Sequence, residues 1–276
     1  MEEFIFDERK LYYRKNKFEL NKQTIVFVHG VSGSSSAWLL YENKFKDKYN
    51  ILSYDLRGHG KSHRYKNYED YSIEEFEEDL YQLVKFLGIN KFIMVSHSYG
   101  TFTALEFISR HEEYIYASIL LSPNYDVKVM PSSKPFNALL KITSNFKLPI
   151  SDTKIRKHVD YSKYLNKKDF NILRNIADLD NTGLQIYLMC TKQAFNLDYK
   201  NLLKNIHIPV LIISGKNDKI FPNKYAEEMA QQIPGAEILT IKNTDHIIAL
   251  NNFKEVSSKI EEFVNKIDNT IMDKKV

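Results

Sequence analysis

The sequence predicts an α/β fold: an eight-stranded, mostly parallel sheet with helices on both faces and an inserted helical segment. Three observations carry that expectation. Short runs of β-branched and aromatic residues recur along the chain, bounded by Gly, Pro, Ser or Asn, as strands buried on both faces would be. Helix-periodic stretches separate them. Ser, Asp and His stand just after the runs, where the carboxyl edge of such a sheet would gather a ligand.

In chain order, Glu2 to Asp7 and Lys10 to Lys15 interleave apolar and charged residues and read as a hairpin of two short strands. "TIVFVHG" from Thr24 is the third strand. "ILSYDLRG" from Ile51, "KFIMVSHS" from Lys91, "ASILLSP" from Ala117, "PVLIISG" from Pro209 and "AEILTIKN" from Ala236 complete the set. The clearest helix is "SIEEFEEDLYQLVKFLG", whose Ile73, Phe76, Leu80, Leu83 and Leu87 share one face. Ser72 and Glu75 form an S-x-x-E capping box, and Gly88 closes the helix. Further helices are expected over Asn223 to Gln232 and Phe253 to Ile267.

Between "ASILLSP" and "PVLIISG" the alternation stops. From Asn124 to Ile208 the patterns are helical, as in "KDFNILRNIADL" and "GLQIYLMCTKQAFNL", and so long a connection is not a simple crossover. The expected division is a core of residues 1–123 and 201–276 carrying a helical cap over 124–200. A last core helix is expected near Leu197 to Asn205.

Composition narrows the functional classes. The chain has 276 residues, a net charge of +4 and acids mixed among its lysines, so no nucleic-acid footprint is read. Its apolar runs fall far short of the ~20 residues a membrane span needs. The single cysteine, Cys190, rules out an internal disulfide and is expected to be a buried structural thiol. With an acidic N-terminus and no apolar leader, a cytoplasmic location is expected. No metal-ligand spacing and no phosphate-binding loop is present, so no metal or cofactor is expected. Oligomeric state is not legible.

The chemistry concentrates at Ser96-His97-Ser98-Tyr99-Gly100, a strand-to-helix junction. A turn this tight strains the serine backbone and lifts its hydroxyl above the sheet, and small residues two positions away on either side make room for it. The usual pattern is G-x-S-x-G; Ser96 replaces the first glycine and Gly100 keeps the second. Three other motifs follow strands in order: "HGVSGSSSAW" from His29, "DLRGHGKS" from Asp55, and the pair "GKNDKIFP" from Gly215 and "NTDHI" from Asn243.

With these motifs, the chain resembles the α/β-hydrolase superfamily, among its cap-bearing, serine esterase-like members, over about Phe4 to Val264. The resemblance implies a Ser-His-Asp triad: Ser98 as nucleophile, His246 as base and Asp218 as acid, with Asp126 the alternative acid in relatives that place it after the sixth strand. It implies the backbone amides of Val31 and Tyr99 as oxyanion donors and a small-molecule acyl substrate. His29 is expected to brace the oxyanion loop, and His97 to face away, lining a wall. Asp55, Arg57 and His59 read as a turn held by charge-assisted hydrogen bonds. The same scaffold hosts thioesterases, lactonases, acyltransferases and small-ligand receptors, and these stay open.

Within residues 124–200 there are thirteen Lys and Arg, seven Asp and no Glu. That excess reads as a solvated face or as a positive rim attracting acidic substrates. Phe136, Leu139, Leu140, Phe146, Tyr187 and Met189 are candidates for an acyl pocket or for the cap's own core.

Overall fold

The computed structural model describes residues 1–129, 150, 157–165 and 171–273. Its sheet has eight strands: β1 (Glu2–Phe6), β2 (Leu11–Lys15), β3 (Thr24–Val28), β4 (Asn50–Tyr54), β5 (Phe92–His97), β6 (Ile115–Leu121), β7 (Val210–Gly215) and β8 (Glu237–Ile241). They lie in the order β1-β2-β4-β3-β5-β6-β7-β8. β2 runs antiparallel to both neighbours, and every other pair is parallel. The expected hairpin is therefore the antiparallel edge of an otherwise parallel sheet.

Helices cover both faces because successive strand residues point to opposite sides. On one face Val26, Val28, Met94, Leu120 and Ile212 pack against α2 (Ile73–Phe86), α3 (Gly100–His111) and α7 (Asn223–Gln232). On the other, Ile25, Phe27, Val95, Ile119 and Ile213 pack against α1 (Leu39–Phe45), α8 (Ile248–Asn251) and α9 (Phe253–Asp273). The short α1 and α8 carry no strong periodic signal in the sequence.

α2 ends as its sequence predicts. Gly88 takes φ +65°, its amide donates to Lys85 O, and the Ile89 amide reaches back to Val84 O, which is a Schellman closure. Its start differs. Ser72 occupies the N-cap, but its side chain makes no capping bond. Glu75 is drawn away into an ion-pair network with Arg9 and Arg57, both of which also bind Asp79. Ionic partners distant in sequence outcompete the local reciprocal cap.

That network anchors the turn after β4 to α2. Arg57 Nε and Nη2 donate to the two oxygens of Asp79 at 2.7 and 2.6 Å, and both side chains are buried. Removing Asp79 takes away the buried carboxylate that both Arg9 and Arg57 bind and leaves the buried Arg57 only the half-exposed Glu75 as ionic partner among the described residues. Asp79→Ala is therefore expected to cost about 3–5 kcal/mol of folding stability, read as a lowered midpoint in urea denaturation. In the same turn Asp55 accepts the Ser35 and Lys61 amides, each at 2.7 Å, and the ring of His158 at 2.7 Å. The turn thus holds the loop after β3 in place, a structural role as expected.

Among the described residues the β6–β7 connection contains no strand; it forms α4 (Ile172–Thr182), α5 (Leu184–Ala194) and the short α6 (Lys200–Leu203). The Asn171 side chain caps α4 through the Arg174 amide at 3.0 Å. α4 is turned against its amphipathic expectation: Arg174, Asp178, Asn181 and Thr182 are buried, whereas Ile172, Leu173 and Ile176 are exposed. Its inward polar groups bind the core. Thr182 Oγ1 donates to Ser32 O at 3.0 Å, and Arg64 Nη2 donates to Asn181 O at 2.5 Å. The candidates Phe136, Leu139, Leu140 and Phe146 lie outside the described residues.

Candidate active site

β5 delivers its last residue, His97, to the carboxyl edge, and the chain reverses into α3 within three residues. Ser98 sits at the reversal with φ +53°, a left-handed conformation that costs a non-glycine residue about 1–2 kcal/mol. Its amide is held by Leu121 O of β6 at 2.9 Å, and its carbonyl accepts the Thr101 amide and hydroxyl at 2.8 and 2.6 Å. The spatial need for Gly100 comes from the neighbouring strand: a Cβ there would lie 2.6 Å from His29 O and 2.9 Å from Val28 O. At Ser96 a side chain is tolerated; it is fully buried, and its hydroxyl has no partner among the described residues.

The loops after β7 and β8 converge on this corner. His246 Nε2 lies 2.6 Å from Ser98 Oγ, and His246 Nδ1 lies 2.7 Å from Asp218 Oδ2. A carboxylate only accepts, so Nδ1 carries the proton and Nε2 is left to accept the serine hydroxyl. Asp218 is itself fixed, because Oδ1 accepts the amides of Ile220 and Phe221 at 2.9 and 2.8 Å. The Phe221 ring stands edge-on to His246 at 5.2 Å. All three side chains are buried to more than nine-tenths. His246 reaches Asp218 rather than Asp126, whose carboxylate accepts the Lys128 amide instead.

The loop after β3 passes directly over Ser98. A Cβ on Gly30 would lie 3.1 Å from Ser98 Cβ, so the next residue, Val31, meets the same cleft. The amides of Val31 and Tyr99 have no hydrogen-bond partner among the described residues. His29 braces that loop. Its Nε2 accepts the Leu56 amide at 3.0 Å, so its Nδ1 donates to Gly30 O at 2.8 Å. Burial holds its ring neutral, with the pKa down at about 4.

Two contacts have no signature in the sequence. His97 Nε2 lies 3.0 Å from the carbonyl of His246, and Ser122 Oγ donates to the same oxygen at 2.9 Å. His97 does line the cleft wall, as expected, but it is bonded to the loop carrying His246 and does not face away.

The cleft above Ser98 encloses about 1230 Å³. Trp38, Tyr161, Leu250, Leu184, Tyr187 and Ile220 give it apolar walls. Tyr187 is thus a wall residue, whereas Met189 is buried in the core. Overhead, Tyr161 donates to Asp178 at 2.7 Å, and Arg174 lies 3.6 Å from the same carboxylate, whose pKa burial pushes up to about 6. Among the described residues the charged lining is balanced: Arg174, Lys216 and Lys219 against Asp178, Asp218 and Asp245. Of the Lys and Arg of 124–200, Arg174 is the one that lines the cleft among the described residues. Cys190 is buried away from it, and burial raises its thiol pKa. Among the described residues no cluster of His, Cys, Asp or Glu is arranged to hold a metal ion, and no helix is long and apolar enough to cross a membrane.

Residues 23–253 match the model of the alpha/beta hydrolase fold family. The chain belongs to that family. Membership supports hydrolase activity, and the relatives' names differ in what is cleaved. The chain is similar to a proline iminopeptidase of Saccharolobus solfataricus, 24% identical over 93% of this chain and 89% of that protein. Among solved structures it is similar to a thermophilic esterase from Thermogutta terrifontis, with a TM-score of 0.73 and 20% identity over 93% of each chain. It is also similar to the enol-lactonase from Burkholderia xenovorans, with a TM-score of 0.71 and 22% identity over 92% of this chain and 96% of that chain.

Proposed function

We propose that this alpha/beta hydrolase is a serine hydrolase that cleaves a carboxylic ester or related acyl compound, using Ser98 as nucleophile, His246 as base and Asp218 as the orienting acid. The observation that carries the reading is the continuous hydrogen-bonded chain from Ser98 Oγ through His246 to Asp218 at the floor of an apolar-walled cleft.

A serine hydroxyl is a weak nucleophile at neutral pH until a base takes its proton. His246 Nε2 accepts that proton as Oγ bonds to the substrate carbonyl carbon, and the carbonyl oxygen gains the negative charge. The amides of Val31 and Tyr99 stabilise this oxyanion, where preorganised donors act most strongly. Asp218 keeps the imidazole in the tautomer that can accept and stabilises the imidazolium that forms. His246 then protonates the leaving oxygen, and the alcohol departs from an acyl-Ser98 intermediate. Water, deprotonated by His246, attacks that acyl group, releasing the acid and restoring Ser98.

The reading needs no cofactor. In this reading the described part of 124–200 serves as a cap: α4 and α5 supply Arg174, Leu179, Leu184 and Tyr187 to the cleft. Among the described lining residues, balanced charge and apolar walls favour an uncharged ester of appreciable size over a small acidic one. A fluorophosphonate probe tests the reading. Covalent labelling of the purified protein is expected on the peptide containing Ser98, together with turnover of p-nitrophenyl esters. A folded protein that neither labels nor turns over such esters would sink it.

A further inference from the structure

We infer that His97 and Ser122 are positioning residues that clamp the backbone carbonyl of His246 and so set the base against Ser98. This rests on the serine-hydrolase reading and goes beyond the triad to what holds its most remote member in register.

His246 lies on a loop after the last strand, not on a rigid element, yet its ring must reach two partners at 2.6 and 2.7 Å. The loop gains rigidity by lying across three strand ends. At β7 the approach is backbone to backbone: a Cβ on Gly215 would lie 2.2 Å from Asp245 O and 2.4 Å from Thr244 O, and the Asn217 amide donates to Thr244 O at 2.9 Å. At β5 and β6 the contact is made by side chains. His97 ends β5, and Ser122 follows Leu121, its register partner on β6. Both side chains reach the one carbonyl that belongs to His246.

Each donor is held for the task. Ser122 adopts φ +47°, strained for a residue with a side chain, while its amide is tied to Ile213 O of β7 at 2.8 Å. A carbonyl oxygen only accepts, so His97 carries its proton on Nε2. Its bare Nδ1 lies beside Gly30, where a Cβ would come within 3.3 Å, so glycine there makes room for the ring between the oxyanion loop and the base loop. His97 faces His246 at 5.3 Å between ring centroids, and Arg174 and His29 add positive charge or dipole from the cap and β3 sides. Burial and these neighbours keep it neutral, with the pKa down at about 3. A neutral donor holds the base without opposing the imidazolium that His246 becomes.

The test exploits side-chain shape. Glutamine places an N–H₂ where imidazole has Nε2, whereas asparagine reaches only as far as Nδ1, and phenylalanine keeps the ring without a donor. The full chain is assayed for the rate of fluorophosphonate labelling and for kcat and KM on p-nitrophenyl acetate. His97→Phe and His97→Asn are expected to lose up to about 10²-fold in labelling rate and kcat with KM little changed, the scale of a small misplacement of catalytic groups. His97→Gln is expected to restore most of the rate. Ser122→Gly, which removes the hydroxyl while relieving the backbone, is expected to lower the rate in the same sense and carries the test if the His97 variants fail to fold. Wild-type rates in both His97→Phe and Ser122→Gly would overturn the clamp while leaving the serine-hydrolase reading intact. So would a His97→Gln as slow as His97→Phe, since packing alone would then explain the loss. A wild-type protein that does not label removes the reading and the clamp together.

Discussion

Replacing Ser98 by alanine is expected to lower turnover of a p-nitrophenyl ester by about 10⁶-fold and to abolish fluorophosphonate labelling, with the fold retained. The size of the effect follows from the concerted geometry. Without Oγ, His246 Nε2 has no hydroxyl to deprotonate, and Asp218 orients a base with nothing to act on. What remains is the cleft and the amides of Val31 and Tyr99, which in a comparable triad still give about 10³–10⁴-fold over water. Stability should move differently. Ser98 is held at φ +53°, so alanine inherits the strain and glycine relieves it. Ser98→Gly is accordingly expected to be as inactive as Ser98→Ala but to melt at a higher temperature. Calorimetry beside a kcat measurement separates the two effects. Near-wild-type turnover in pure Ser98→Ala protein would rule out Ser98 as nucleophile.

Much of the architecture is legible in the sequence because it is written locally. Strand cores such as Thr24–Val28 and Val210–Gly215 are compact apolar runs, and Asn223–Gln232 forms a helix over the span its pattern predicts. Ser98, Asp218 and His246 stand out because each follows a strand at the edge where ligands gather, and the fold brings them together. What stays hidden depends on partners far along the chain. Glu75 abandons its capping box for Arg9, 66 residues away. The bonds from His97 and Ser122 to the His246 carbonyl span 149 and 124 residues, and a carbonyl has no sequence signature. In α4, periodicity reveals that two faces differ but not which one turns inward. Polar Arg174 and Asp178 face the cleft side while Ile172 and Ile176 meet solvent, because what α4 packs against are polar loop groups and not an apolar sheet.

The same logic of fixed partners makes Asp218→Asn the sharpest test of the acid. Asparagine nearly matches aspartate in shape, so the loop should keep its course. Its orientation is not free, however. The amides of Ile220 and Phe221 both donate to Oδ1 and require an acceptor there. The asparagine carbonyl must take that place, which turns its N–H₂ toward His246 Nδ1. A donor facing Nδ1 forces the imidazole proton onto Nε2, and a protonated Nε2 cannot accept from Ser98. The variant thus preserves distances while inverting the direction of the hydrogen-bonded chain. Turnover is expected to fall by about 10⁴-fold, the scale seen when a triad acid is changed to its amide, and fluorophosphonate labelling should slow in step. Asp126→Asn supplies the contrast. Its carboxylate bonds the Lys128 amide and not His246, so activity is expected to stay close to that of the unaltered protein. The reverse result, an active Asp218→Asn beside an inactive Asp126→Asn, would move the acid to the end of β6 and break the chain argued here.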